Sequence, residues 1–309
     1  MSVITVIGGS NFDLSATLSQ PFVAADSNPG HVSLGYGGVA RNIAHNLCLL
    51  GHEVKFVSVF GNDIFGNLMR DYCKGIGIDL GMSEMVKDER SGMYLCINNN
   101  MGEMIAAVAD THVIDRITPE FLEKRTGELN RADAIVADTN LSESTLSFLL
   151  DNSIVPLYVD TVSSTKAWRI INALRDNHLS RLHALKLNLK EALVVTGCQT
   201  VEEAARKLLE LGIEHVYITM SGEGVYCART VDTDELQEGE PDVEETVFPA
   251  LPGEVVNTTG AGDAFLAGVV HAEMQGIKFP QTAQYGLMAA RATLMSEQAV
   301  NPEIKNILL

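Results

Sequence analysis

Short apolar segments of strand character alternate with helical ones along almost the whole chain, and this alternation restricts the fold more than any other feature. VITVIGG, RNIAHNLCLLG, EVKFVSVFG and IFGNLMRDYCKGIG follow one another at the start. AIVAD, ESTLSFLLDN, VPLYVD, VEEAARKLLELG, HVYITM and the apolar run after Gly262 continue the series. Strands that return through helices run parallel, and their all-apolar composition asks for cover on both faces, so the pattern predicts a mostly parallel sheet between helical layers. The 309 residues suit one α/β domain carrying an insertion. Helices are expected to stop at Gly51, Gly75, Gly212 and Gly276, where a left-handed cap costs little.

The alternation breaks twice. Residues 13–36 hold DLSATL, a turn-rich ADSNPG and HVSLGY with no helix between them. Residues 91–110 read as a hairpin around Gly102. We expect the two segments to pair into a small antiparallel β-sheet over the strand ends, acting as a lid on a large α/β domain formed by residues 1–12, 37–90 and 111–309. The apolar alternation of Met93, Leu95 and Ile97 beside an open sheet edge predicts a homodimer through lid pairing.

Composition excludes several classes. A formal charge of −18 leaves no extended basic surface for nucleic acid. No apolar run approaches the roughly 18 residues a bilayer requires. The opening MSVITVIGGS has neither a basic region nor a small-residue cleavage site, so it reads as a first strand and a cytoplasmic location is expected. Five scattered cysteines without a C-x-x-C pair point to free thiols. The eight histidines show no H-x-x-x-H spacing, and none is assigned to metal or catalysis. The acidic run at 232–245 reads as a solvated excursion.

The chemistry concentrates in NTTGAGDAFLAGVV, Asn257 to Val270. Gly260, Ala261 and Gly262 free the backbone to turn N–H groups toward one point, and the helix start that follows adds unpaired donors and a positive dipole end. That is an anion cradle. Asp263 at its lip makes sense if the anion is transient and the carboxylate has a proton to accept. Neither G-x-G-x-x-G nor G-x-x-x-x-G-K-[ST] occurs, so dinucleotide and P-loop architectures are set aside. Asn11 and Asp13 lie where the first strand exits, and YGGVARNIAHNLCLLG places Gly37 and Gly38 before a helix carrying Asn42. Each of these words alone also reads as turn or capping chemistry.

GGVARNIAHNLCLLGHEVKFVSVFGNDIFG and NTTGAGDAFLAGVV resemble the two signature segments of the PfkB, or ribokinase-like, carbohydrate and nucleoside kinases, and the likeness extends through KLNLKEA and ITMSGEGVY to essentially the whole chain. Among those kinases the shorter words ADSNPG, NNMGEM, IVADTN and YVDTVS are most similar to members acting on pseudouridine. The resemblance implies a ribokinase-like three-layer sandwich with a β-sheet lid, using ATP and Mg²⁺ on a nucleoside or sugar hydroxyl. It implies Asp263 as general base, with the amides of Gly260, Ala261 and Gly262 as the hole for the transferring phosphoryl group. Asp13, Gly37, Gly38 and Asn42, with Asn11, are implied to bind a ribose-like ring, and Asn98, Thr111 and Asn140 are candidates for a uracil-like base. Asn188 and Glu191 are implied to lie near the triphosphate, Glu191 influencing Mg²⁺ through water, although N-x-x-E by itself reads as helix capping. Lys186 is placed to reach a phosphate, and Thr219, Gly222 and Gly224 resemble the nucleotide-binding turn, with a surface hairpin as the competing reading. The chain carries Asn257 where the family commonly has Asp, which leaves a monovalent cation such as K⁺ open. A sugar kinase acting on ribose, fructose or a sugar acid, and a non-catalytic nucleoside-binding member, are the alternatives.

Overall fold

A computed structural model describes residues 1–176, 182–231 and 242–308. Most of the acidic run and His178 lie outside them. Fourteen strands are present among the described residues. Outside the small sheet they are β1 (Val3–Ile7), and later β4 (Glu53–Val57), β5 (Val59–Gly61) and β6 (Glu84–Val86). The second half of the chain adds β9 (Ala134–Asp138), β10 (Leu157–Asp160), β11 (Leu182–Asn188), β12 (Ile213–Thr219), β13 (Val225–Thr230) and β14 (Val243–Phe248). The small sheet is made of β2 (Asn11–Leu18), β3 (Gly30–Gly37), β7 (Met93–Asn98) and β8 (Met104–Asp110).

The main sheet runs β14-β13-β12-β11-β10-β9-β1-β4, parallel from β12 through β4 and antiparallel at its last two pairings. Strand alternation sorts its apolar side chains into two cores. Ile7, Ile135, Ala137, Val159 and Leu185 pack with helices Glu143–Asn152, Ser164–Asp176, Leu189–Thr196 and Val201–Leu209. Ile4, Val6, Phe56, Val136, Tyr158 and Tyr217 pack on the other face with helices Val39–Leu49, Ile64–Gly75 and Ala261–Met274. This is the expected three-layer arrangement. Because β1 is flanked by β4 on one side and β9 on the other, the connections diverge there, and a crevice opens at the carboxyl ends of the strands.

The small sheet has the order β3-β2-β7-β8 and consists of two antiparallel hairpins joined by a parallel β2–β7 pairing. The second hairpin turns at Gly102 (φ +84°), with Asn99 Oδ1 accepting from the N–H groups of Met101 and Glu103. β7, expected beside an open edge, lies inside the sheet, and the edges are β3 and β8. One helix end also differs from expectation. Gly75 ends helix Ile64–Gly75 without a left-handed backbone, and the turn is made by Gly77 at φ +90°. Gly51, Gly212 and Gly276 do take positive φ. Among the described residues no helix is long and apolar enough to cross a membrane.

Candidate active site

The cradle is built as the sequence suggests. Gly260 adopts φ +81°, and a Cβ there would stand 2.1 Å from the Ala299 carbonyl oxygen, so only glycine fits the bend. The helix Ala261–Met274 starts immediately after it with no side-chain cap. The Ala261 N–H leans on the Thr258 carbonyl at 3.4 Å, while the N–H groups of Gly262 and Asp263 have no acceptor among the described residues. Asn257 ties down the approach, since its Oδ1 accepts from Thr259 N–H and its Nδ2 donates to the Glu297 carbonyl. An aspartate there would face that carbonyl with no proton to give, which is the local reason for the amide.

Asp263 is buried, and its Oδ2 accepts a 2.7 Å hydrogen bond from Asn42 Nδ2. Burial first, then repulsion from Asp160, push its carboxyl up to about 7, against the opposing pull of Asn42, Lys186 and Arg41. Lys186 Nζ sits 3.0 Å from Asp160 Oδ2 and would meet a Cβ on Gly262 at 2.5 Å, so the ammonium rests directly on the bare backbone of the cradle. Burial pulls the Lys186 ammonium down, but the carboxylates of Asp160, Asp263 and Glu191 outweigh it and hold the pKa above the ordinary lysine value. Asn188 and Glu191 form a complete capping box, with Glu191 Oε2 accepting from Asn188 N–H at 2.9 Å and from the Thr161 hydroxyl at 2.7 Å. The capping reading is therefore correct, and it also fixes Glu191 within the charge field of Lys186.

Where β1 leads into β2, Asn11 Nδ2 donates to Asp13 Oδ1, and a Cβ on Gly37 would collide with the Asp13 carboxyl at 2.2 Å. Gly38, at φ +99°, lets β3 enter the next helix against Gly9 and Ser10. Burial raises the Asp13 carboxyl to about 6, although Arg41 and Asn11 work against it. Asn11, Thr111 and Asn140 line one small recess together with Gly9 and Ser10. Asn98 shares the Asp13 face of the small sheet, but pairs with Thr17, four residues along from Asp13 and so about 13 Å farther out. Its amide donates to Ser15 Oγ, and the hairpin turn is made by Asn99 instead.

Beside the cradle lies a cavity of about 500 Å³ whose walls include Thr219, Gly222, Gly224, Ala261, Gly262 and Phe265. Gly224 (φ +105°) is required there, because a Cβ would meet the Phe248 carbonyl at 2.0 Å. Thr219, Gly222 and Gly224 thus face the same space as the cradle.

Four side chains of the candidate site escape the sequence reading. Asp138 accepts from the N–H groups of Gly9 and Ala40 and from both the N–H and Nδ2 of Asn140, drawing three segments onto one carboxylate. Asp160 holds Lys186. Arg41, fully buried, donates to the carbonyls of Tyr36 and Gly37. Lys166 donates to Asn140 Oδ1 at 2.5 Å. A signal existed for the two aspartates, since AIVAD and LYVD each end a buried strand on an acid. The two basic residues give none, because nothing local says that a helical Arg or Lys is turned inward.

A doubly wound sheet with a glycine cradle, a buried carboxylate near neutrality and an ammonium between them defines a phosphotransferase with a hydroxyl acceptor, on the ribokinase-like fold. Residues 1–306 match the model of the pfkB family carbohydrate kinases, and the chain belongs to that family. It is 32% identical to a pseudouridine kinase of Escherichia coli K12, over 97% of this chain and 93% of that one. It is 27% identical to a guanosine-inosine kinase of Exiguobacterium acetylicum, over all of both chains. A ribokinase of Arabidopsis thaliana complexed with ribose and ATP superposes with a TM-score of 0.81 at 18% identity, covering 99% of this chain and 98% of the other.

Proposed function

We propose that this kinase uses ATP and Mg²⁺ to phosphorylate the 5′-hydroxyl of pseudouridine. The observation that carries the reading is the 2.7 Å contact between Asn42 and Asp263, which joins the helix following Gly37 and Gly38 to the anion cradle. A hydroxyl delivered from the Asp13 side meets Asp263 at that junction. Asp263 takes its proton, while the amides at 260–263 and Lys186 stabilise the charge that spreads over the transferring phosphoryl group. Asn11 and Asp13 offer paired polar atoms suited to vicinal hydroxyls, and Asn140, its amide oriented by Asp138 and Lys166, offers a donor and an acceptor to a base edge. Likeness to two nucleoside kinases supports a nucleoside over a free sugar.

The donor set fits a dication. Asp160, Glu191 and Asp263 place three buried carboxylates around the single ammonium of Lys186. Bound Mg²⁺ would supply the missing positive charge beside the phosphates. Glu191, with Oε2 already engaged, would act on it through water.

The small sheet is proposed as the lid, excluding water over the acceptor. A coupled ATP-consumption assay with pseudouridine, uridine and ribose, run with and without K⁺, tests the reading. Pseudouridine should give the highest kcat/KM. A preference for ribose would replace the nucleoside assignment with that of a sugar kinase, and binding of pseudouridine without turnover would indicate a non-catalytic member.

A further inference from the structure

At the opposite end of the main sheet, side chains from several elements converge on Glu273. His183 is the second residue of β11 and His215 the third of β12, whereas Lys186, Asn188 and Thr219 close those strands on the active-site side. Glu273 follows Asp263 by ten residues on the same helix, about 15 Å along its axis. His183 Nε2 lies 2.8 Å from Glu273 Oε2, and its Nδ1 lies 2.9 Å from Glu214 Oε2. His215 Nδ1 and Glu273 Oε1 are both buried without a hydrogen-bond partner among the described residues, and they stand 3.6 Å apart. The Tyr158 hydroxyl donates to Glu273 Oε2.

We propose that His183, His215 and Glu273 form a binding site for a borderline-soft transition-metal dication of the Zn²⁺ class, separate from the active site. Their donor atoms all lie within 4.8 Å of one another. Ligands about 2.1 Å from a tetrahedral zinc stand about 3.4 Å apart, so the closure needed is small. The two orphaned atoms aimed at each other are what a shared cation would satisfy. Glu214 on the far nitrogen of His183 is the arrangement that fixes a metal-bound imidazole in its tautomer. The neighbouring cation, Arg229, is engaged by Glu244 and rests on the Phe279 ring, against which His215 stacks. Two imidazoles and one carboxylate select Zn²⁺, Co²⁺ or Ni²⁺ over Mg²⁺, whose oxygen-only preference suits the active site. Occupancy would clamp the last turns of the helix bearing Asp263 to β11 and β12.

The test is titration of the full chain with Co²⁺ in the presence of excess Mg²⁺. The expected result is one equivalent bound, with visible d–d bands of imidazole and carboxylate ligation, no thiolate charge-transfer band, and the largest paramagnetic shifts on two histidine ring resonances. His215→Phe, which keeps the ring stack, should weaken binding at least a hundredfold, and Glu214→Gln about 10–100-fold. Absence of saturable binding in the native chain overturns the site, as does affinity unchanged in both variants. If a variant fails to fold, the native spectrum still decides, because a thiolate band or unshifted histidines would place the ion elsewhere.

Discussion

In the proposed mechanism Asp263 concentrates the chemistry of the chain into one carboxyl group. Replacement by Asn removes the base but keeps the shape and the polar contact with Asn42, so turnover should fall at least about a hundredfold while nucleoside affinity measured by calorimetry stays near that of the native chain. The group also predicts a pH profile. Burial and Asp160 raise its pKa to about 7, and it must be ionised to accept a proton, so kcat/KM should climb with pH along an acid limb centred near 7. The same shift acts on stability with a definite sign. A carboxyl whose folded pKa lies above its unfolded value favours the native state below the unfolded value near 4, and this contribution is lost as pH rises through about 7. Asp263→Asn should therefore be more stable than the native chain at pH 8, and the difference should shrink toward pH 4. A thermal-melt series across that range checks it, and an unchanged gap would show that the carboxyl is not perturbed.

Among the elements, the small sheet has the most to lose if left alone. Its register aligns Leu34, Leu14, Leu95 and Val108 in one row, and Val32, Ala16, Ile97 and Ala106 in the next. Period-two alternation puts both rows on one face, opposite Asp13, and Val32, Leu34 and Val108 are more than half exposed. Nearer the main domain the same face is covered, where Phe12 packs on Tyr36 and Phe65. We propose that a second copy of the chain covers the outer rows through this face, and not through an edge as the sequence pattern suggests. Light scattering should give a dimer at micromolar concentration. Leu34→Glu combined with Val108→Glu should yield a monomer of unchanged fold, and a dimer that survives the double change removes this interface.

For the molecule as a whole, an anionic phosphate donor approaches a chain with a formal charge of −18. Long-range attraction is absent, so affinity must come from the helix start at Gly260, from Lys186 and from the cation that the surrounding carboxylates fit. Chelating Mg²⁺ should therefore weaken ATP binding at least about tenfold in a calorimetric titration at constant ionic strength. Unchanged affinity would show that the protein groups alone balance the phosphates.

The alternation of strands and helices, the two helix-free segments that pair into the small sheet and the glycine-lined helix start were legible in the sequence, because each depends on local periodicity or on a backbone only glycine can adopt. Gly260, Gly38 and Gly224 are such cases. What the sequence could not show is where side chains distant along the chain meet. Asn42 and Asp263 are 221 residues apart, Gly9 and Asp138 129, and His183 and Glu273 90. Those meetings depend on sheet order and on the rotation of each helix against the sheet. The raised pKa of Asp263, the inward turn of Arg41 and Lys166, and the histidine pair at the far end of the sheet exist only once packing has removed water from around them.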